Sequence, residues 1–572
     1  MHLVPRITAI AACVCGSCLS AHKDAVRYNE LVTELQLRGV SVPDGSGVSV
    51  TQVEAREDTN RNRSIDSNEG YFPNTSVGEL SAVSIDDISA QGLDASGHAT
   101  TVARNLCGSN TSMAPGIDSV NVYETEDWLN NRGWLNGTPQ TETNALQNHS
   151  WVAWITSSHS SVRMDFAVGR DGYLPVAGLY NSDFGSQTIP SDIPEIYGSM
   201  YNGITVGVSD GTHRTGTTSS ADGPGRIKPE IVAPNDYTSF ATPYVTAAAA
   251  LLIDQAGSST DANDQLTLKA ILLAAANKDV SASWDQTSSR PLDEVYGAGQ
   301  LDVYESYMIQ EGGQQGAGSS IGERGWNLST LGRNASHDYS ITIPAGFELR
   351  KLSALITWNR TFRFSSLNFP ELADLSLSLS GPAISTYTSD SSVDNLEHIW
   401  RDSSNPLSAG TYTLRVQANG NGTEYAIAWR SELYQDYSLW SQANFTSATP
   451  GELRDADDDP EGDGIPNRLE QAFGGNPEAA DADILPASNT VDLSGQRYLE
   501  ISFRRPEFEN GLNYTVQTVT DLNGTWTDAS SEVDLVQIAA EDGGYDRYTY
   551  RRADPLADHE KAFLRVVVSE AQ

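Results

Sequence analysis

Two hydrophobic rhythms divide the chain. Between about residues 46 and 312, short apolar runs such as 47–55 (GVSVTQVEA) and 203–211 (GITVGVSDG) alternate with segments of helical period, among them 266–279 (LTLKAILLAAANKD). Strands that read as apolar runs and alternate with helices pair in parallel, so this part predicts an α/β fold, a doubly wound parallel sheet covered by helices. A Gly- and Gln-rich stretch at 311–320 (EGGQQGAGSS) then reads as a linker. From 324 to 432 the period falls to two in runs such as YSITI, LSALITW, LSLSL and GTYTLRVQA, which predicts a β-sandwich. Residues 433–480 are strongly acidic and hold one helix-like patch, RLEQAF; residues 485–572 return to alternation in YLEISFRR, LNYTVQTV and AFLRVVV, which predicts a second β-domain. A chain of 572 residues is also too long for one hydrophobic core.

The first 21 residues break both rhythms. A positively flanked start (His2, Arg6), an apolar stretch from Ile7 to Leu19 and small residues at Ser20 and Ala21 form a signal-peptide pattern. The apolar run is shorter than the roughly 20 residues a bilayer requires, so the chain is expected to be exported, secreted or held at the cell envelope, and not transmembrane. Cys13, Cys15 and Cys18 lie in the leader, which leaves Cys107 alone in the mature chain and excludes an intramolecular disulfide. Stability must then come from elsewhere, and bound cations are one source.

Charge narrows the partners. A formal net charge of −39 argues against nucleic acid, whose phosphates need clustered Lys and Arg, and self-repulsion of that size is relieved by salt or divalent ions.

Covalent attack on a peptide needs a hydroxyl, an imidazole to take its proton, an acid to orient the imidazole, and donors for the oxyanion. In TSFATPYVTAAAALL (238–252) a Pro-containing loop feeds a long helix of small residues, which places Ser239 in the positive end of the helix dipole. Taken alone, Thr238 or Ser239 serves equally well as a helix cap. In SGHATTVARNLCG (96–108), His98 precedes a second helix.

Together these segments resemble the subtilisin-like serine proteases. Tyr237-Thr238-Ser239-Phe240-Ala241-Thr242-Pro243-Tyr244 is similar to that family's nucleophile string, Gly-Thr-Ser-Met-Ala-Thr-Pro-His, with departures at Tyr237, Phe240 and Tyr244 that remove no reacting group. His98 matches the catalytic imidazole of the family's His-Gly-Thr-His-Val-Ala-Gly helix, with Thr101 at its second histidine and Arg104 at its glycine. GVSVTQVEA resembles the strand that normally ends in Val-Ile-Asp-Ser-Gly and puts Glu54 where the aspartate belongs; Asp58 is the alternative if the register differs. The order acid, His, Ser is the subtilisin order. By the same resemblance Asn181, at the end of YLPVAGLYNSD, is the oxyanion donor, and Ser150 and Trp151 contact the peptide. The implied activity is hydrolysis of protein or peptide substrates; Glu54 and Tyr237 keep open the alternative of a catalytically inactive scaffold with a binding or adhesion role.

One further constellation stands apart. DPEGDGIPNRLE (459–470) spaces Asp459, Glu461, Asp463, the Ile465 carbonyl, Asn467 and Glu470 as a twelve-residue calcium loop, with Gly464 at the sharp turn. It resembles the loops of dockerin- and thrombospondin-type repeats and implies structural calcium. A weaker run, DTNRNRSIDSNE (58–69), places Asp58, Asn60, Asn62, Ser64, Asp66 and Glu69 at the same intervals, with Arg63 at the glycine position.

Overall fold

The computed structural model describes residues 16–59, 66, 69–153, 159–181, 196–217, 226–382, 384–559 and 561–571. Most of the expected leader, and Asn60, Asn62 and Ser64 of the weaker loop, lie outside the described residues.

Seven strands build the first sheet: β1 (Ser49–Glu54), β2 (Ser84–Asp87), β3 (Ser119–Glu124), β4 (Leu146–His149), β5 (Leu174–Gly178), β6 (Ile204–Val208) and β7 (Ile231–Ala233). They run in the order β7-β6-β5-β4-β1-β3-β2, with every neighbouring pair parallel. Strand β1 therefore lies inside the sheet, and later strands are added first on one side of it and then on the other. At such a reversal the connections leave in opposite directions, and a crevice opens beyond the carboxyl ends of the strands.

Side chains alternate across this sheet and divide the core in two. Val50, Val120, Val122, Leu146 and Val176 face one cluster; Val53, Tyr123 and Ala177 face another with Trp128 and Met164. Helices α3 (Gly97–Cys107) and α5 (Thr238–Ala256) pack on each other against the first face, and α4 (His159–Asp171) lies on the second. Helix α5 is apolar on nearly all sides, which matches its burial over most of its length.

The stretch before β1 forms two helices, α1 (Gly16–Ala25), whose first residues belong to the expected leader, and α2 (Tyr28–Arg38), which the sequence reading leaves unassigned. Val26, Leu31 and Leu35 join the first core, and the Val303 N–H donates to Val26 O at 2.9 Å. Arg38 reaches across to Asp546 in the last domain at 2.7 Å.

Helices α6 (Gln265–Ala275) and α7 (Val303–Glu311) complete the α/β unit, and every residue of α6 is buried. A largely antiparallel β-rich unit follows, built around the long strand Ser336–Trp358. The expected linker is pinned to it: Gln315 N–H donates to Trp326 O at 2.8 Å and Gly318 N–H to Asp338 O at 2.7 Å. A four-stranded and a three-stranded antiparallel sheet end the chain, and Ile465 and Phe473 of the acidic segment enter their core beside Ile501 and Phe503. Among the described residues no helix is long and apolar enough to cross a membrane.

Candidate active site

Glu54 is the last residue of β1, at the carboxyl edge where the sheet reverses, and is fully buried. Its Oε1 accepts from Gln52 Nε2 at 2.9 Å, and its Oε2 lies 3.0 Å from His98 Nδ1. His98 is the second residue of α3, a helix started by Ser96, whose hydroxyl oxygen accepts the Ala99 N–H at 3.0 Å. Burial alone would lower the His98 pKa; the adjacent Glu54 carboxylate outweighs it and raises the value above the ordinary 6.5. With Nδ1 held by Glu54, Nε2 is the ring nitrogen left for proton transfer.

The start of α5 is unusual in what it leaves unused. Tyr237 occupies the N-cap with extended backbone (φ −139°, ψ 142°) and supplies no side-chain cap. Thr238 spends its N–H on Asn181 Oδ1 at 2.8 Å and its hydroxyl on Leu179 O at 2.5 Å. Phe240 and Ala241 N–H both return to Tyr237 O at 3.0 Å. Among the described residues, neither the hydroxyl nor the N–H of the half-buried Ser239 has a partner. Ser239 therefore does not cap the helix, and two of its polar groups stay available at the positive end of the dipole. Pro243 has no N–H to offer the Ser239 carbonyl one turn back. Strand β5 passes so close that a Cβ on Gly178 would stand 2.7 Å from Thr242 Oγ1.

Two contacts bring α5 to α3. Asn105 Nδ2 donates to Phe240 O at 3.1 Å, and the Phe240 ring lies 5.4 Å from the His98 ring, centroid to centroid. Ser239, the residue before Phe240, thus shares one end of the paired helices with His98, although no hydrogen bond joins them among the described residues. Asn181 stands beside the same helix start; its carbonyl oxygen is occupied by Thr238, and its amide nitrogen remains a donor.

Ser150 and Trp151, expected on the peptide path, have side chains turned into the fold. Ser150 accepts from Asn148 Nδ2 at 2.9 Å. The Trp151 indole N–H donates to His149 Nδ1 at 3.3 Å, within an aromatic cluster that includes Tyr197 and Trp128. Burial pushes His149 down to about 3, so it accepts this bond as a neutral ring. Reading along the sequence also passes over Glu57, whose Oε2 accepts from the Ser96 hydroxyl at 2.7 Å and the His98 N–H at 3.0 Å.

In the acidic segment, carboxylate oxygens of Asp459, Glu461 and Asp463 gather within 4.8 Å of one another. The loop is wound by its own amides: Asp459 accepts from Gly462 and Gly464 N–H at 2.8 Å each, and Asp463 from Ile465 N–H at 2.8 Å. Gly464 sits at φ +91°, as the sharp turn requires. Glu470 is fully buried, and both its oxygens and both of Glu461 lack a hydrogen-bond partner. Burial, with the charges of Glu461, Asp481 and Asp463, pushes the Glu470 carboxyl up to about 9. Asp481, outside the twelve-residue spacing, donates its N–H to Asp463 Oδ2 at 3.0 Å and leaves Oδ1 unpartnered. The Asn467 amide nitrogen donates to Asp455 O at 2.8 Å, which leaves its buried Oδ1 without a hydrogen-bond partner. The Ile465 side chain faces the last domain's core. The unpartnered oxygens of Glu461, Glu470 and Asp481, beside the half-buried Asp459 and Asp463, could hold a hard cation with oxygen ligands.

No protein-family model and no curated protein matches the chain. Among solved structures, it is similar to the patellamide maturation protease PatA (16% identity, TM-score 0.33, 47% of this chain and 98% of that one). It is also similar to a protease from Pseudoalteromonas arctica PAMC 21717 (13%, TM-score 0.33, 47% and 91%). Tripeptidyl peptidase 2 matches over 83% of this chain and 53% of its own, at 12% identity and a TM-score of 0.27.

Proposed function

We propose that the chain is a secreted, subtilisin-like serine endopeptidase that cleaves protein or peptide substrates through an acyl-enzyme. The observation that carries this reading is the buried Glu54–His98 contact of 3.0 Å beside a helix start whose Ser239 hydroxyl and N–H are unspent among the described residues. In the first half-reaction His98 Nε2 takes the Ser239 proton as Oγ bonds to the substrate carbonyl carbon. Glu54 stabilises the imidazolium through Nδ1–H, and the Asn181 amide and Ser239 N–H donate to the oxyanion. The imidazolium then protonates the departing amine. Water activated by the same ring releases the acid.

Calcium at Asp459, Glu461, Asp463 and Glu470, with Asp481 as a further carboxylate, belongs to this proposal as a structural ion. It would neutralise buried like charges and hold the junction to the last domain. The ion takes no part in the chemistry, because this cluster lies in a different domain from His98.

A fluorophosphonate probe tests the reading. Labelling of the wild-type protein, abolished in Ser239→Ala with an unchanged melting temperature, supports it; folded wild-type protein that takes no label is an inactive scaffold instead.

A further inference from the structure

Glu54 is not the only carboxylate committed to His98. We propose that Glu57 is a positioning residue of the reaction centre, clamping the first turn of α3 so that the His98 ring stays seated against Glu54. The inference rests on reading His98 as the general base and adds a residue to that machinery.

The geometry is specific. Glu57 Oε2 accepts two hydrogen bonds from the start of α3, the Ser96 hydroxyl at 2.7 Å and the His98 N–H at 3.0 Å. The Ser96 oxygen in turn accepts the Ala99 N–H at 3.0 Å, so a single carboxylate organises the second and third amides of the helix, directly and through the cap. Glu57 comes from the segment just after β1, not from the helix it caps, and its own N–H is fixed to Gly70 O at 3.0 Å. The segment 54–57 therefore grips His98 twice, at the ring through Glu54 and at the backbone through Glu57. A rotation or slide of α3 that opened the ring contact would also break the backbone one.

Glu57 is buried, so its charge is weakly screened. The charged groups acting on His98 are Glu54 from β1 and Glu57 from the following loop. The neighbouring Arg56 turns to Glu124 at 3.7 Å, and α5 presents the uncharged Phe240 ring. Both carboxylates favour the imidazolium, with Glu54 the larger influence. Position and charge are separable by substitution: Glu57→Gln keeps an oxygen able to accept both bonds and removes the charge, and Glu57→Ala removes both.

The experiment measures the His98 ring titration by NMR in a Ser239→Ala background, and the rate of fluorophosphonate labelling against pH in the Ser239 protein. Glu57→Gln is expected to move the His98 titration down by roughly one pH unit and carry the acid limb of labelling with it, leaving the plateau near wild type. Glu57→Ala is expected to lower the plateau by about tenfold to hundredfold as the ring loses its seat. An unchanged plateau in a folded Glu57→Ala, or a plateau lost in Glu57→Gln as fully as in Glu57→Ala, overturns the proposal. If Glu57→Ala does not fold, Glu57→Gln decides alone: a plateau near wild type supports the clamp and a lost plateau overturns it. Wild-type protein that resists the probe refutes the peptidase reading, and the NMR arm still reports on Glu57.

Discussion

Replacing Glu54 by Gln isolates the charge on which the proposed general-base catalysis depends. The glutamine is isosteric, and its carbonyl oxygen can still accept from Gln52, which donates to Glu54 Oε1 at 2.9 Å. What disappears is attraction across the 3.0 Å contact with the ring. At an effective dielectric constant of about 20, a unit-charge pair at that separation is worth roughly 5 kcal/mol, an upper figure because the transition state gains only what the ground state lacks. At about 1.4 kcal/mol per decade this corresponds to a loss of roughly 10³ to 10⁴ in acylation rate, the size expected when a triad acid becomes its amide. The pH profile moves as well. In the wild type the raised His98 pKa puts the acid limb above 6.5, since the base works only when neutral. Without Glu54 the effect of burial prevails and the limb shifts to lower pH. Stability follows the same linkage: the contribution of a protonated His98 is full below 6.5 and lost as pH rises through the raised value, and Glu54→Gln flattens that dependence. The assay is the second-order rate of fluorophosphonate labelling from about pH 5 to about pH 9, with thermal melting over the same range. A folded Glu54→Gln protein that labels at the wild-type rate with an unshifted acid limb refutes the reasoning.

Asn181→Asp keeps an oxygen for the Thr238 N–H, deletes the amide donor and adds a negative charge beside the developing oxyanion. Labelling is expected to slow by about 10² to 10³ or more, and an unchanged rate removes Asn181 from the oxyanion site. In the acidic segment, Glu470 is raised from 4.5 to about 9, so in chelator its contribution to stability is full below 4.5 and is lost as pH rises through about 9. Added calcium should remove that slope in thermal melts, and Glu470→Gln should raise the chelated midpoint while shrinking the gain from calcium. Equal melting with calcium and with chelator at every pH excludes the ion.

Period and spacing make the sheet and its helices legible, because each depends on where a strand or helix ends, whereas the pairing of Glu54 with His98 is implied by the resemblance of their segments to the subtilisin-like motifs. Counting along an apolar run puts Glu54 at the carboxyl edge of β1, and the turn before α3 puts His98 at a helix start. Glu57 and Asp481 were hidden for the opposite reason: each acts on a segment distant in sequence, and in a linear reading each is one acidic residue among many. The direction of the Trp151 side chain was not legible. Alternation ends with β4 at His149, and whether the next indole faces a ligand or the core is decided by Trp128 and Tyr197, which arrive from elsewhere. The helix α2 went unread because its buried positions are few, Leu31 and Leu35, and it follows directly on a leader-like segment. Composition suggested slack at 311–320, yet glycine there allows close packing: a Cβ on Gly312 would stand 2.4 Å from Arg324 O.

Helix α6 has no face toward water. Leu355, Ala426 and Ala428 of the β-rich unit share its core, and Ser353 Oγ donates to Ala274 O at 2.7 Å at its end. Severing the chain near residue 320 and letting the downstream part drift away would uncover a leucine-rich surface on what remained. The β-rich unit is thus better regarded as a wall of the α/β unit than as cargo attached to it, and trimming at that junction would yield an aggregating fragment instead of a smaller folded one.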